Sequence, residues 1–569
     1  MSRPHSGGSR HGAKHPTRRK ALPATGTPSA SGSAEPVDRQ VSVRRTSAGL
    51  RVLFVYPNLN AEEGFNHGIA ALSGCLQARG HQTGLINLNE ALGRVPSDEE
   101  VVQQIRRFNP DLVAFSVMTQ QYAYAVRLAR AIQRAMPALP LAIGGVHTMM
   151  CTQQVKNERL WHFIGIGECD EALPKLVDRL AAGDHAALDV PNFSVRLPDG
   201  RYKDNPLGRY PSLDTLPEKH YAIFDLQTLL ARKNGWQSIL TSRGCPYRCS
   251  YCFNREMCDR YYHKGGQPRK DYLRHYPADT VIRQIQRLRD EHPEITTIIF
   301  DDDLFTLDQE YCIDLLKRYK QAGIDLPFVI NAHVQRFNEA IAQALAETPC
   351  RIVKFGLESG SDRLRRAVLD RHMSNEKIAR AFDLCHKHGL HTSAFVMFGL
   401  PYETPQMMHE TIELCARIRP GRMRWAIFFP FPGTKSYTIC QLGNLIDYRR
   451  MRALDNYFVA SCLRFDPATD LLIRKLQRTF HWRVNALLDQ PASAEYRRLV
   501  DEVDAMDADQ WDHHSAAILQ RDRQLSDGLL QQRLRHYSIR YTEVMAVDSD
   551  YVLAEQGQDK HKAARTWRA

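Results

Sequence analysis

SILTSRGCPYRCSYC (238–252) is the stretch from which the rest of the chain is read. Its first residues have the composition of a β-strand, which runs through Arg243-Gly244 into Cys245, Cys249 and Cys252, a C-x3-C-x2-C spacing. Thiolates clustered at a strand's carboxyl end point to a soft metal centre, either zinc or iron–sulfur. Three readings stand at this point. The spacing could arise by chance among the thirteen cysteines of the chain. A structural zinc needs a fourth ligand, from Cys258 or a nearby His. An iron–sulfur cluster on three thiolates leaves one iron open, and an open coordination position implies catalysis rather than electron storage.

The strand at 238–244 is the first of six. TTIIFDDD (296–303), PFVINAH (327–333), RIVKFGLES (351–359), TSAFVMFGLP (392–401) and MRWAIFFPFP (423–432) come after it, separated by helical segments such as 278–291 and 312–323. Six β/α units over 236–447 predict a (β/α)6 partial TIM barrel with its chemistry at the carboxyl ends of the strands. Upstream, apolar runs at 51–57, 81–88, 111–117, 141–145 and 163–167 alternate with helical stretches. That alternation predicts an α/β, doubly wound Rossmann-like domain over 49–185. Ligands of such sheets sit at strand ends, where the sequence places Ser116, Thr119, Gly144, Gly145, His147, Gly165, Gly167 and Glu168. Residues 186–235, rich in proline and turning at Asp199-Gly200, read as a linker with a hairpin. Residues 448–569 read as a helical C-terminal region with no strand, ending in a frayed tail.

The net charge of +12 over 569 residues suggests nucleic acid until it is located. Residues 1–50 hold nine Lys/Arg against Glu35 and Asp38, so +7 of it lies there. The body is near neutral, which disfavours a nucleic-acid-binding core. Ser/Gly/Pro-rich residues 1–48 read as a disordered basic leader, too poor in apolar residues to offset their ordering entropy. No run reaches the ~20 apolar residues of a membrane span. Cysteines scattered singly suggest reduced thiols and a cytoplasmic setting. No G-x-G-x-x-G comes after the first strand, which argues against NAD.

The cysteine spacing after a first barrel strand, with Tyr251 before the last cysteine, resembles the radical S-adenosylmethionine (radical SAM) superfamily. Lys354-Phe355-Gly356-Leu357-Glu358-Ser359-Gly360-Ser361 is similar to that family's fourth-strand motif. Phe398-Gly399-Leu400-Pro401 and Pro430-Phe431-Pro432-Gly433-Thr434 resemble its fifth- and sixth-strand ends. Where many members carry a Gly-Gly-Glu-like segment, this chain has Phe300-Asp301-Asp302-Asp303. The resemblance implies that Cys245, Cys249 and Cys252 hold a 4Fe–4S cluster whose open iron chelates SAM. It implies that Tyr251, Asp303, Glu358 and Ser359 contact SAM.

The first domain is similar to that of the cobalamin-dependent subfamily. Gly144-Gly145-Val146-His147-Thr148 looks like its Gly-Gly-x-His loop, and Gly165-Ile166-Gly167-Glu168 like its Gly-x-Gly-Glu segment. The implied cobalamin contacts are therefore Ser116, Thr119, Gly144, Gly145, His147, Gly165, Gly167 and Glu168. The Asp-x-His-x-x-Gly signature of a lower-axial His is absent, so no His on cobalt is expected. Together the two resemblances imply a cobalamin-dependent radical SAM methyltransferase. One SAM would methylate cob(I)alamin. A second, cleaved reductively, would give a 5′-deoxyadenosyl radical that opens an unactivated carbon, or phosphorus, of a small-molecule substrate to methyl capture. No side-chain acid or base is expected beyond the cofactors, and the electrons would come from an external donor such as flavodoxin or ferredoxin. The rivals are a non-methylating radical rearrangement or cyclisation and a non-catalytic iron–sulfur or zinc protein. A methylthiotransferase would need three further clustered cysteines, and Cys75, Cys151 and Cys169 are dispersed.

Overall fold

The computed structural model describes residues 49–183, 189–454 and 459–557; the basic leader and the end of the tail lie outside them. β1 (Arg51–Pro57), β2 (Gln82–Leu88), β3 (Leu112–Ser116), β4 (Leu141–Gly144) and β5 (Phe163–Gly165) form a parallel sheet in the order β2-β1-β3-β4-β5. Alternation along β1 sends its side chains to two different cores. Leu53 and Val55 join Val113 and Phe115 under the helices Asp98–Phe108 and Tyr122–Ala135. Val52 and Phe54 join Leu112 and Ala114 under His67–Gln77 and Ala172–Ala181. Local signals set the helix ends. Ser97 and Glu100 form a capping box that starts Asp98–Phe108, and Asn109 closes it in the left-handed region at φ 53°.

The Asp199-Gly200 hairpin does form, as β6 (Phe193–Arg196) and β7 (Tyr202–Asp204). It is not part of a linker, however. β6 pairs antiparallel with β5, making the hairpin the edge of a seven-stranded first sheet. Its proline-rich flanks masked this, because the pairing partner lies about thirty residues upstream. The connector shortens to the segment after β7, which packs Leu213, Tyr221, Phe224 and Leu226 into the same core as Val52 and Phe54.

The second sheet begins with β8 (Trp236–Ile239); β9 (Ser242–Arg243) and β10 (Arg274–His275) form a small antiparallel pair beside it. β11 (Thr297–Phe300), β12 (Phe328–Ala332), β13 (Cys350–Glu358), β14 (His391–Phe398) and β15 (Arg422–Ile427) continue it, in parallel and in chain order. The six expected strands are all present. A correction is needed beyond them. β16 (Tyr537–Ile539) and β17 (Met545–Asp548) lie in the region expected to hold no strand, and β17 adds antiparallel to β15. The sheet therefore has eight strands, with β8 and β16 as its edges. Three- and four-residue strands carry too little alternation to be read alone; pairing with β15 makes them. Part of the expected frayed tail is also ordered, as the helix Ser549–Gly557.

The helix Pro467–Leu487 spans the back of β14 and β15, and its His481 and Trp482 both donate to Asp522 at 2.7 Å. The other oxygen of Asp522 accepts the Ile539 N–H of β16 at 2.9 Å. One fully buried carboxylate thus joins two helices to the edge strand. Asp522→Ala leaves these donors without an acceptor in a dry environment and is expected to cost about 3–5 kcal/mol. The exposed Asp527→Ala should cost under about 1 kcal/mol. Urea unfolding followed by tryptophan fluorescence measures the difference.

Candidate active site between the two sheets

The loop that carries the cysteines is built by the strand before it and the helix after it. Gly244 turns the chain at φ +98°, where a Cβ would lie 2.3 Å from the Tyr272 carbonyl. Cys245, Cys249 and Cys252 come next. The helix Phe253–Cys258 and a π-helical turn, Asp259–Lys264, then lead the chain away. The three cysteines lie near enough together that the charge of each would act on its neighbours. Burial, more than that repulsion, pushes the Cys245 and Cys252 thiols up to about 12. Among the described residues no three His, Cys, Asp or Glu are arranged to hold a single metal ion. Three cysteines on one loop leave a coordination position open, which suits an iron–sulfur cluster with one open iron better than a closed structural zinc site. Cys258 is buried in its helix.

An arginine missed in the sequence completes this seat. Arg371, after the short helix Asp362–Ala367, donates to Cys249 Sγ at 3.3 Å and to the Tyr251 hydroxyl at 3.3 Å. Its other nitrogen reaches the Gly356 carbonyl. Burial works against its charge, but the facing Tyr251, Cys249 and Glu358 hold it above its ordinary value. No spacing marks Arg371 in the sequence; its role comes from the fold. The Tyr251 hydroxyl donates to Glu358 Oε1 at 2.9 Å. Glu358 ends β13 at φ +68°, beside a register shift against β14, a strained conformation of the kind that gathers at functional sites.

The other expected SAM contacts divide. Asp303 faces a cavity of about 440 Å³ at the strand ends, beside Gly244, Asn254 and Tyr272. Ser359 does not face it. It is fully buried, and its hydroxyl accepts the Ser361 N–H at 3.2 Å, so it shapes the turn after β13. The acidic triplet has three separate tasks. Asp301 accepts from Ser238 of β8. Buried Asp302 accepts from the Thr241 N–H at 3.0 Å and the Thr241 hydroxyl at 2.9 Å. The next helix is capped by Asp308.

The first domain forms the opposite wall of the cavity through His67 and Glu168. His67, also missed in the sequence, hydrogen-bonds Ser238 at 2.8 Å, and burial beside Lys219 and Arg243 keeps it neutral. At the first sheet's strand ends, Ser116 pairs with Gly144, and His147 Nδ1 lies 3.4 Å from the Thr119 hydroxyl. His147 is buried and stacked on Tyr122 with 3.9 Å between centroids; its Nε2 has no partner, and burial lowers its pKa to about 4. A buried neutral imidazole with an unanswered nitrogen leaves a hydrogen-bonding group at this edge for a polar ligand.

Four of the expected cobalamin contacts have close protein neighbours of their own. A Cβ on Gly145 (φ +95°) would lie 2.6 Å from the Val117 nitrogen, and one on Gly167 (φ +79°) 1.7 Å from the Tyr261 hydroxyl. Gly165 sits against Cys169 and Phe193. The Tyr261 hydroxyl, carried by the π-helical turn, accepts from the Glu168 N–H at 3.0 Å and from Asn192 at 2.8 Å. The Glu168 carboxylate is bound to Arg243, at 2.9 Å, and to Arg274. Arg243 also grips Asp170 through two 2.9 Å bonds. These residues fasten the first domain to the barrel.

Burial pushes the Asp170 carboxyl up, but the charge and hydrogen bonds of Arg243 outweigh it and hold it below the usual range. Its contribution to stability is therefore full above about pH 4 and is lost as pH falls through the folded value. Arg243→Ala strands a buried carboxylate and is expected to cost about 3–5 kcal/mol at pH 7. The deficit against wild type should shrink at acid pH, where Asp170 takes up a proton. Calorimetry at pH 7 and pH 4.5 tests both statements.

Comparison with known proteins agrees with this arrangement. The Radical SAM superfamily profile matches residues 239–415, and the B12 binding domain profile matches residues 61–177. An uncharacterized methyltransferase of Pyrococcus horikoshii is 24% identical over 393 residues, covering 68% of this chain and 82% of the relative. The anaerobic magnesium-protoporphyrin IX monomethyl ester cyclase of Rubrivivax gelatinosus is 25% identical, covering 70% of this chain and 71% of its own. Among solved structures, the radical S-adenosylmethionine methyltransferase TsrM of Kitasatospora setae, with cobalamin and a [4Fe–4S] cluster bound, shares the fold. Its TM-score is 0.56 at 18% identity, over 68% of this chain and 74% of that one. No described helix is long and apolar enough to cross a membrane. With a 4Fe–4S cluster, SAM and cobalamin as its cofactors, the chain belongs to the cobalamin-binding radical SAM enzymes.

Proposed function

We propose that this enzyme transfers a methyl group to an unactivated carbon, or to phosphorus, of a small molecule bound in the cavity between the two sheets. The observation that carries the reading is that cavity itself. One wall is formed by Gly244 and Phe253, the residues that flank the cysteine loop, with Asp303, and the other by His67 and Glu168 of the first domain. When bound, the cluster and SAM supply a hydrogen-abstracting radical and the cobalamin supplies a methyl group. The chain supplies position and dryness. Cys245, Cys249 and Cys252 hold the cluster. Arg371, fixed by Tyr251 and Gly356, places a positive charge against the Cys249 sulfur and the Glu358 carboxylate. Glu358 and Asp303 are left as acceptors for the polar groups of SAM. Ser116, Thr119, Gly144 and His147 form the edge that receives cobalamin, and the Arg243–Glu168–Asp170 clamp keeps water from the seam. The electrons come from an external donor of the flavodoxin or ferredoxin kind. The setting is the cytoplasm, which thirteen cysteines without a disulfide fit.

The likeness to the cyclase favours a second reading, a ring-forming radical reaction without methyl gain. Product mass separates the two: a substrate that gains one methyl supports transfer, and one that loses hydrogen without a methyl supports cyclisation.

The chain, purified without oxygen and reconstituted with iron, sulfide and hydroxocobalamin, should show cobalamin bands and a broad iron–sulfur absorbance near ~400 nm. The Cys245/Cys249/Cys252→Ala variant should keep the cobalamin bands and lose the cluster absorbance. Cluster absorbance without cobalamin would remove methyl transfer by this route.

A further inference from the structure

The interior of the half-barrel carries a charge that the site described above does not use. Along β13, Val353 and Phe355 pack outward into the main core, Phe355 against Phe337 and Phe382. The alternate residues Lys354 and Gly356 therefore face inward, and the Gly356 position looks onto Glu358 and Arg371. Lys354 lies about 13 Å below the end of the strand that carries Glu358, at ~3.3 Å per residue. It is level with Asn331 of β12.

The Lys354 ammonium makes no hydrogen bond or ion pair with any described residue. Burial lowers its pKa to about 8; Asp301 opposes the shift, while Arg422, Arg424 and Lys233 add to it. Asp301, the one carboxylate acting on it, is already engaged by Ser238. On β15, Arg424 stands level with Gly356 through Phe395 of β14, two strands across and one inward step higher. Its guanidinium holds Glu62 of the first domain at 2.8 Å. That carboxylate is largely exposed and can be displaced. Two strand spacings amount to about 10 Å, a gap that two long cationic side chains close around one small anion. Lys354 is only partly buried, so its unpaired ammonium is open to the interior of the half-barrel, where an arriving anion can reach it.

We infer that Lys354 and Arg424 seat an anionic group of the substrate, a carboxylate or a phosphate, inside the half-barrel. The inference rests on the proposed function for what the anion belongs to. It narrows the substrate to acidic small molecules, held by the acid group below the cofactors with the reacting atom toward the strand ends.

Trace amidination of the reconstituted full-length chain with methyl acetimidate, read at Lys354 by peptide mass spectrometry, tests this. Acetate, inorganic phosphate and SAM are the separate probes. Acetate or phosphate should slow labelling at least about threefold, the more effective anion naming the class; Arg424→Gln should raise the midpoint about tenfold, and Arg424→Lys should restore most of it. Protection by neither anion, equal protection in Arg424→Gln, or protection by SAM alone overturns the inference. Cluster and cobalamin spectra are recorded on the same sample. Their failure with anion protection intact would remove the proposed function and leave the anion seat standing, and the reverse result would do the opposite.

Discussion

A single guanidinium governs how this molecule is put together. Arg243 is two residues before Cys245, yet its partners, Asp170 and Glu168, come from the first domain. All three are withdrawn from water, so none can leave the others without a large electrostatic cost. Because β9 is so short, a shift of Arg243 is a shift of Cys245. The geometry of the cysteine loop and the seating of the cobalamin-type domain are thus one constraint. Arg274 of β10 adds a second cation on Glu168 and rests on the Tyr210 ring at 4.7 Å, which stiffens the arrangement.

The polar groups at the barrel mouth show how similar residues acquire different duties from their depth. Asp301, Asp302 and Asp303 are consecutive in the loop after β11, yet they turn to different surroundings. Asp302 turns into the protein and braces Thr241, and burial raises its pKa to about 6. Asp303 turns to the cavity. On the far side, Tyr251 links the cysteine loop to strained Glu358, and Arg371 holds both. The mouth is preorganised by protein contacts before any cofactor enters.

Much of this was legible in the sequence because it is local. The six expected strands, the cysteine spacing and the Asp199-Gly200 turn each rest on residues within a short window. Less local features were lost. The glycines Gly145 and Gly167 read as openings for a flat ligand, whereas Val117 and Tyr261 lie against them; the residue type reports a close approach but not what approaches. Glu168 read as part of a ligand loop because its partners, Arg243 and Arg274, are 75 and 106 residues away. Arg371 and His67 stand in unremarkable surroundings along the chain. β16 and β17 exist only because β15 offers an unpaired edge.

The sharing of one apolar core by both sheets has a consequence for how such proteins can be assembled from parts. Val52 and Phe54 of the first sheet, Tyr221 and Phe224 of the connector and Ile285 and Leu288 of the first barrel helix belong to the same buried cluster. A cobalamin module cut out at the end of β7 would carry away about a quarter of that cluster and bare the rest. Recombination between relatives, whether by evolution or in the laboratory, therefore has its natural breakpoints outside the connector. The unit of inheritance is the pair of sheets together with the segment between them.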